Sequence, residues 1–387
     1  MKIEQIYEIT NDIAKEVTGE EALVQEDLSN VVQVGTAIQN IDGWQNKFVQ
    51  ALVDRIGRTI FVNRPYSGSA PSVMMNAWEY GSILMKIASD LPEAQENESW
   101  ELTDGASYDP FVYKANPAEA KFYDGLTTFE LDKTIIDRQL KSSFKDATQL
   151  NAFISMIFNE VDKAMTVRND ALVMRTINSM IADTMYDFNS GGTYSSSSGT
   201  KAVNLLYLYN QKYGTSLTAA NALSTPEFLR FASYIMSLYV DRLAKMSTLF
   251  NIGGKKRFTP SDLLHTVLLS EFKEAAGVYL YDAANQFNNE NLKLPKAETV
   301  TFWQGSGTGY SFSDTSKVYV TSGANHSVQA SGILGVMFDR DALGVCNQNS
   351  RVTTQYNPKA EFTNYFYKRD ARYFTDSNEN FVVFFVA

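Results

Sequence analysis

The stretch "GILGVMFDRDALGV", residues 332–345, sets Asp339, Arg340 and Asp341 side by side inside an otherwise apolar run. An extended chain alternates its side chains. A strand through the triplet therefore puts both carboxylates on one face and the guanidinium on the other. Either the two acids form a catalytic couple, or the charges are ones that a folded or assembled structure needs. A sugar-cleaving couple requires a cleft between carboxylates about 5–9 Å apart, and nothing in the neighbouring sequence places one. The structural reading is preferred, with ion pairs inside the subunit or between subunits.

Further along, "NFVVFFVA" (380–387) is apolar almost throughout. Such a strand needs cover on both faces and belongs inside a sheet. Before the triplet, "TVTFWQ" and "KVYVTS" also read as strands. "HTVLLSEFKEAAGVYLYDAAN" (265–285) begins as a buried strand and turns helical. "STPEFLRFASYIMSLYVDRLAKMS" (224–247) is a helix, with Ser224 or Thr225 as N-cap and Pro226 in its first turn. Between Phe144 and Ile181, apolar residues recur at steps of three and four, and 126–190 lacks Pro and Gly. A helix over 146–186 would be about 60 Å long, either a single spine or two kinked pieces. "NSGGTYSSSSGT" (189–200) and "NIGGKKRFTP" (251–260) are loop and turn.

The front of the chain differs. Residues 1–62 carry thin apolar stripes separated by polar stretches and bury little alone, as an arm would. "NRPYSGSAPSV" (63–73) is a turn-rich break, and the short aromatic runs up to residue 135 read as a long β-hairpin or small sheet. This front third is expected to be covered by other molecules. No internal repeat is visible.

The 387 residues suffice for roughly two or three domain-sized units. A net charge of −10 argues against a nucleic-acid binder working through a large basic face, but allows a protein that encloses nucleic acid. Cys346 is the single cysteine, so no intrachain disulfide and no cysteine metal cage form. The N-terminus lacks a signal peptide, and no run approaches the apolar length of a membrane span. A reducing cytoplasm is expected. The 24 Phe and 21 Tyr fit extensive interfaces as well as an aromatic core.

Motifs for chemistry are weak. "GSGTG" (305–309) has the wrong spacing for a dinucleotide loop and a strand after it. "GGKK" (253–256) lacks the upstream glycine of a phosphate loop. Lys255, Lys256 and Arg257 form a small basic patch, a candidate contact for a phosphate or an acidic surface. His265 and His326 are the only histidines and stand in no ligand or triad pattern. Glu96 and Glu98 read as a solvated loop. "NES" (97–99) and "NHS" (325–327) are chance glycosylation matches. No catalytic, cofactor-binding or metal-ligating residue is assigned.

In this order the elements resemble the major capsid proteins of tailed bacteriophages with the HK97-like fold, from about residue 26 to the end. "EDLSNVVQVGTAIQN" with "NKFVQALVDRIGRTI" looks like the N-terminal arm, and "AWEYGSILMKI" with "PEAQENESWEL" like the start of the extended E-loop hairpin. Residues 144–187 look like the spine helix of the peripheral (P) domain, and "TPSDLLHTVLLSEF" with "LPKAETVTFWQGSGTG" like the axial (A) domain. The 332–345 stretch and the last strand look like the chain leaving the A domain and closing the P-domain sheet.

The resemblance implies an α+β capsid fold: arm 1–62, E-loop hairpin 63–130, P domain with spine helix 131–215, A domain 216–345, and P-domain closing strands 346–387. It implies a non-enzymatic homo-oligomer that builds pentamers and hexamers of an icosahedral shell around double-stranded DNA. Assembly would take place in the host cytoplasm, with a portal and sometimes decoration proteins. Trp78, Glu79, Tyr80, Trp100, Asp339, Arg340 and Asp341 become subunit-interface candidates. The long charged extension that some relatives place before the arm is not seen, which implies a separate scaffolding protein or an extension removed by a protease, and a start at Met1 favours the first. The lysine–asparagine crosslink of one relative cannot be matched, and no crosslinking residue is assigned. The alternatives are an encapsulin-type compartment, which shares the fold, and a hydrolase using paired carboxylates.

Overall fold

In the computed structural model, the described residues are 66–75, 83–89, 91–92, 94, 96, 104–105, 111, 118–136, 147–190, 194–279, 294, 297–304, 310–322 and 324–387. The arm, the "GSGTG" motif, Trp78, Glu79, Tyr80 and Trp100 lie outside them. The chain divides into two compact units, Met1–Arg64 with Asn151–Met156, and Pro65–Leu150 with Ile157–Ala387. Apart from the helical backbone of the short piece Asn151–Met156, the described residues belong to the second unit.

The elements run in this order: β1 (Leu84–Ser89), β2 (Ala118–Tyr123), β3 (Leu126–Ile136), α1 (Ala147–Phe188), β4 (Ala202–Asn204), α2 (Leu205–Tyr213), α3 (Ala219–Ala222) and α4 (Pro226–Ala244). There follow β5 (Leu264–Leu269), α5 (Ser270–Tyr279), β6 (Ala297–Val300), α6 (Phe312–Thr315), β7 (Val318–Thr321) and β8 (Ser327–Ala330). The last four are β9 (Ile333–Asp339), β10 (Leu343–Asn357), β11 (Phe362–Thr375) and β12 (Phe381–Phe385).

α1 is one unbroken helix of 42 residues. Its buried positions change along its length. Ile157, Val161 and Met165 form a single stripe at steps of four. From Leu172 the buried positions spread around most of the helix: Val173, Met174, Ile177, Met180, Ile181 and Met185 are all buried. Thr176 and Thr184 are buried there too. Each satisfies its hydroxyl on the carbonyl four residues back, 2.8 Å away.

The core is a five-stranded sheet of order β4-β12-β9-β5-β6. β12 pairs parallel to β4 and antiparallel to β9, and all five of its residues are buried. The same holds for every residue of β9 and β5. These strands are apolar on both faces, so only the middle of a covered sheet accommodates them. β12, expected to close a P-domain sheet, therefore shares a sheet with β5, β6 and β9, the strands read as axial. Gly332 enters β9 with φ +80°, and a side chain there would collide with the Val386 carbonyl. Trp303 is fully buried and donates its indole N–H to the Ile333 carbonyl at 2.9 Å.

A second sheet, β10-β11-β3, is antiparallel throughout. A charged and hydroxyl ladder crosses its three strands. Thr128 donates to Asp370 at 2.7 Å, Arg351 donates to the same carboxylate, and Lys368 pairs with Glu130 at 3.1 Å. β1 and β2 form a separate two-stranded ribbon, and β7 and β8 another.

Truncating the centre of the main sheet tests this architecture. Phe384→Ala is expected to cost about 3–5 kcal/mol, read as a lowered midpoint in urea unfolding followed by tryptophan fluorescence.

Candidate functional site

Asp339, Arg340 and Asp341 do not continue the strand alternation. β9 ends at Asp339, and 340–342 form a turn into β10. Asp339 is buried. Its carboxylate accepts from the Thr259 hydroxyl at 2.7 Å and from the Asp341 backbone N–H at 2.9 Å. Asn380 donates to Thr259 at 3.1 Å, and the Asp339 N–H donates to the Asn380 carbonyl at 3.0 Å. Neutral donors thus satisfy this carboxylate, and among the described residues none of the three charges joins an ion pair within the chain, one of the two placements expected. The buried anion serves as a turn-holder. Arg340 and Asp341 are exposed, and Arg340 lines a cavity of about 260 Å³ beside Met74, Met75 and His265.

The basic patch is engaged within the chain. Lys255 pairs with Glu119 of β2 at 3.2 Å. Arg257 Nε approaches Glu379 at 3.4 Å, outside hydrogen-bond geometry, while Lys256 stays at the surface. Lys255 and Arg257 thus face carboxylates of their own chain.

Arg257 and Lys255 flank a larger ionic knot at the base of the ribbon. In β1 and β2, Lys86 and Lys121 stand directly opposite each other. Two like charges in that position repel. Asp376, its side chain only 2% exposed, lies against both: Lys86 reaches one oxygen at 2.8 Å and Lys121 the other at 3.2 Å. Lys86 also bonds Glu379 at 2.8 Å and the Asp341 carbonyl at 3.2 Å. The Asn378 N–H donates to Asp376 at 3.0 Å. Burial alone would raise the Asp376 pKa, but the bonds from Lys86 and Asn378 outweigh it and hold the carboxyl below its ordinary range. Burial likewise pulls Lys86 down, and its bonds to Asp376 and Glu379 more than reverse this. Tyr123 sits beside them with its ring 5.3 Å from that of Phe374. Its burial, then the Asp376 charge, drives its pKa far above the tyrosine range.

The knot occupies one face of the ribbon. The opposite face is apolar and open: Met85 is 51% exposed, its cross-strand partner Phe122 65%, and Ile87 63%. The amphipathy is inverted, with charge turned to the body and hydrocarbon to the outside. The described part of the hairpin expected to lie over neighbours is thus tied to its own body by its polar face. Its apolar face alone remains to be covered. The sequence signal was the alternation in "ILMKIAS" itself, whose inward residue is a lysine.

Among the described residues, no three His, Cys, Asp or Glu side chains are grouped to hold a metal, and no helix is long and apolar enough to cross a membrane. A long helix, a sheet with a fully buried last strand, and a ribbon that offers hydrocarbon outward are the features that the described residues present. The chain belongs to the family of Phi29-like phage major capsid proteins, whose model matches residues 8–385. It is therefore a structural capsid protein of the virion shell. Among solved structures it is similar to a chain in the capsid structure of Staphylococcus phage Andhra, with TM-score 0.54 and 11% identity over 85% of this chain and 87% of that one. It is also similar to a chain in the structure of the head fiber and inner core protein gp22 of native bacteriophage P68. There the TM-score is 0.52 at 10% identity, again over 85% and 87% of the two chains. No curated protein matches the sequence.

The knot makes stability depend on pH in a defined direction. Asp376 has a lowered folded-state pKa, so its contribution is complete above about pH 3.9, where an unfolded aspartate titrates. It is lost as pH falls through the folded value. The Lys86 contribution is complete below about pH 10.4 and is lost as pH rises through its raised folded value. Asp376→Asn takes the counter-charge from Lys121 and leaves Lys86 with Glu379 alone, and should cost about 3 kcal/mol. Urea midpoints measured against pH should show the acid limb flattened in that variant.

Proposed function

We propose that this subunit builds its shell from rings of five and six copies, and that the icosahedral shell encloses double-stranded DNA. Assembly takes place in the host cytoplasm on a separate scaffolding protein, with a portal and, in the finished head, decoration proteins as further partners. The role is structural, without catalysis. The segments 1–62, 63–130, 131–215, 216–345 and 346–387 serve as arm, E-loop, P domain, A domain and closing strands in this reading.

The observation that carries the reading is the inverted ribbon. Exposed hydrocarbon at Met85, Ile87 and Phe122 is unfavourable in water at about 25 cal/mol per Å². A neighbouring copy that covers it gains this energy, and a closed shell repeats the gain at every subunit. The net charge of −10 supports the enclosing role, because an acidic wall confines packed DNA without adhering to it. Arg340, exposed and without a carboxylate partner among the described residues, is an interface candidate together with Asp341. Trp78, Glu79, Tyr80 and Trp100 stay candidates on the hairpin.

Negative-stain microscopy of the purified chain should reveal rings or shells of megadalton size. Met85→Lys/Phe122→Lys should abolish them while circular dichroism of the soluble subunit is unchanged. A wild-type chain that remains a discrete small species would overturn the proposal. Arg340→Ala should lower the yield of closed particles without changing the unfolding midpoint.

A further inference from the structure

α2 and α4 together carry an open groove among the described residues. Two adjoining cavities, of about 410 and 620 Å³, share Lys212 and Phe231 in their walls. Arg242 lines the first, and Arg230 and Tyr234 the second. The Lys212 ammonium stands over three rings, 5.3 Å from Tyr213, 5.4 Å from Phe231 and 5.7 Å from Tyr234. Arg242 lies 5.1 Å from the centre of the Tyr239 ring. Tyr213 and Tyr234 are each more than half exposed. Among the described residues Glu227 is the one carboxylate in the walls, against Lys212, Arg230 and Arg242. None of these three cations has a carboxylate partner among the described residues. On a chain of net charge −10, a cationic groove floored with aromatic rings is a local reversal of sign.

Its complement is in the same sequence. Residues 89–109, "SDLPEAQENESWELTDGASYD", hold Asp90, Glu93, Glu96, Glu98, Glu101, Asp104 and Asp109 and no Lys or Arg. The segment follows directly on β1, which ends at Ser89. It also carries Trp100 and Tyr108, side chains that anchor well in aromatic clefts. We propose that the α2–α4 groove is the docking site for the acidic 89–109 segment of a second copy of this chain. The segment's carboxylates meet Lys212, Arg230 and Arg242, and its aromatics join the rings beneath. Such a contact joins two different surfaces of one chain. It is heterologous, and rings close by repeating it. The inference rests on the shell reading and adds to it the surface that receives the hairpin.

The test is a charge swap in the full chain, with shell yield read by sedimentation and negative stain. Lys212→Glu/Arg230→Glu should lower the yield by about tenfold, since like charges are then juxtaposed. Glu96→Lys/Glu98→Lys should do the same, and the variant with all four changes should recover most of the wild-type yield. Circular dichroism of each soluble variant reports folding, and Lys212→Gln/Arg230→Gln provides a milder change should the reversal unfold α4. Unchanged yield with either folded reversal overturns the inference while leaving the shell reading intact. So does a groove defect that the reversed segment does not repair, because the occupant would then be another acidic partner. A wild-type chain that forms no shells at all would instead remove the reading on which the inference stands.

Discussion

The requirement that β12 be covered on both faces governs the body of this subunit. Phe381, Val382, Val383, Phe384 and Phe385 are all buried, and no arrangement at a sheet edge would hide them. The end of the chain must therefore return to the centre, between β4 and β9. That return brings the turn 376–380 beside the end of β9. There Asp339, Thr259 and Asn380 satisfy one another through hydroxyl, amide and carboxylate. The buried charge that first drew attention is thus a consequence of sheet closure.

The same turn carries Asp376 and Glu379, which makes the sheet the footing of the ribbon. Lys86 and Lys121 would repel each other in an isolated hairpin. Against the buried Asp376 they become an anchor. Because the two lysines take the inward face, Met85, Ile87 and Phe122 take the outward one. Local alternation and the carboxylates of one turn, Asp376 and Glu379, give a ribbon that points hydrocarbon away from its own body. A soluble monomer has little use for such an element, whereas a shell subunit needs one.

Much of this was legible in the residues. The spine helix could be read from apolar steps of three and four with no Pro or Gly, and the structure has it as one helix, Ala147–Phe188. The helix after Ser224 and the strand-to-helix switch near Leu269 were equally plain. Other features were not. β4 is three residues long and α3 and α6 four each, too short for any periodicity to register. The basic triplet read as a contact for a phosphate or an acidic surface, and nothing local showed that Lys255 and Arg257 face Glu119 and Glu379, residues 136 and 122 positions away, or 255 − 119 and 379 − 257.

What the sequence by itself determined is whatever depends on neighbours along the chain: helix and strand periodicity, the apolar last strand and the acidic balance. Tertiary structure alone decided which charges meet. An ion pair's energy falls with distance in space, and sequence separation carries no record of that distance. For the same reason the strand order β4-β12-β9-β5-β6, and the side of the ribbon that faces outward, came into view only once the chain was folded.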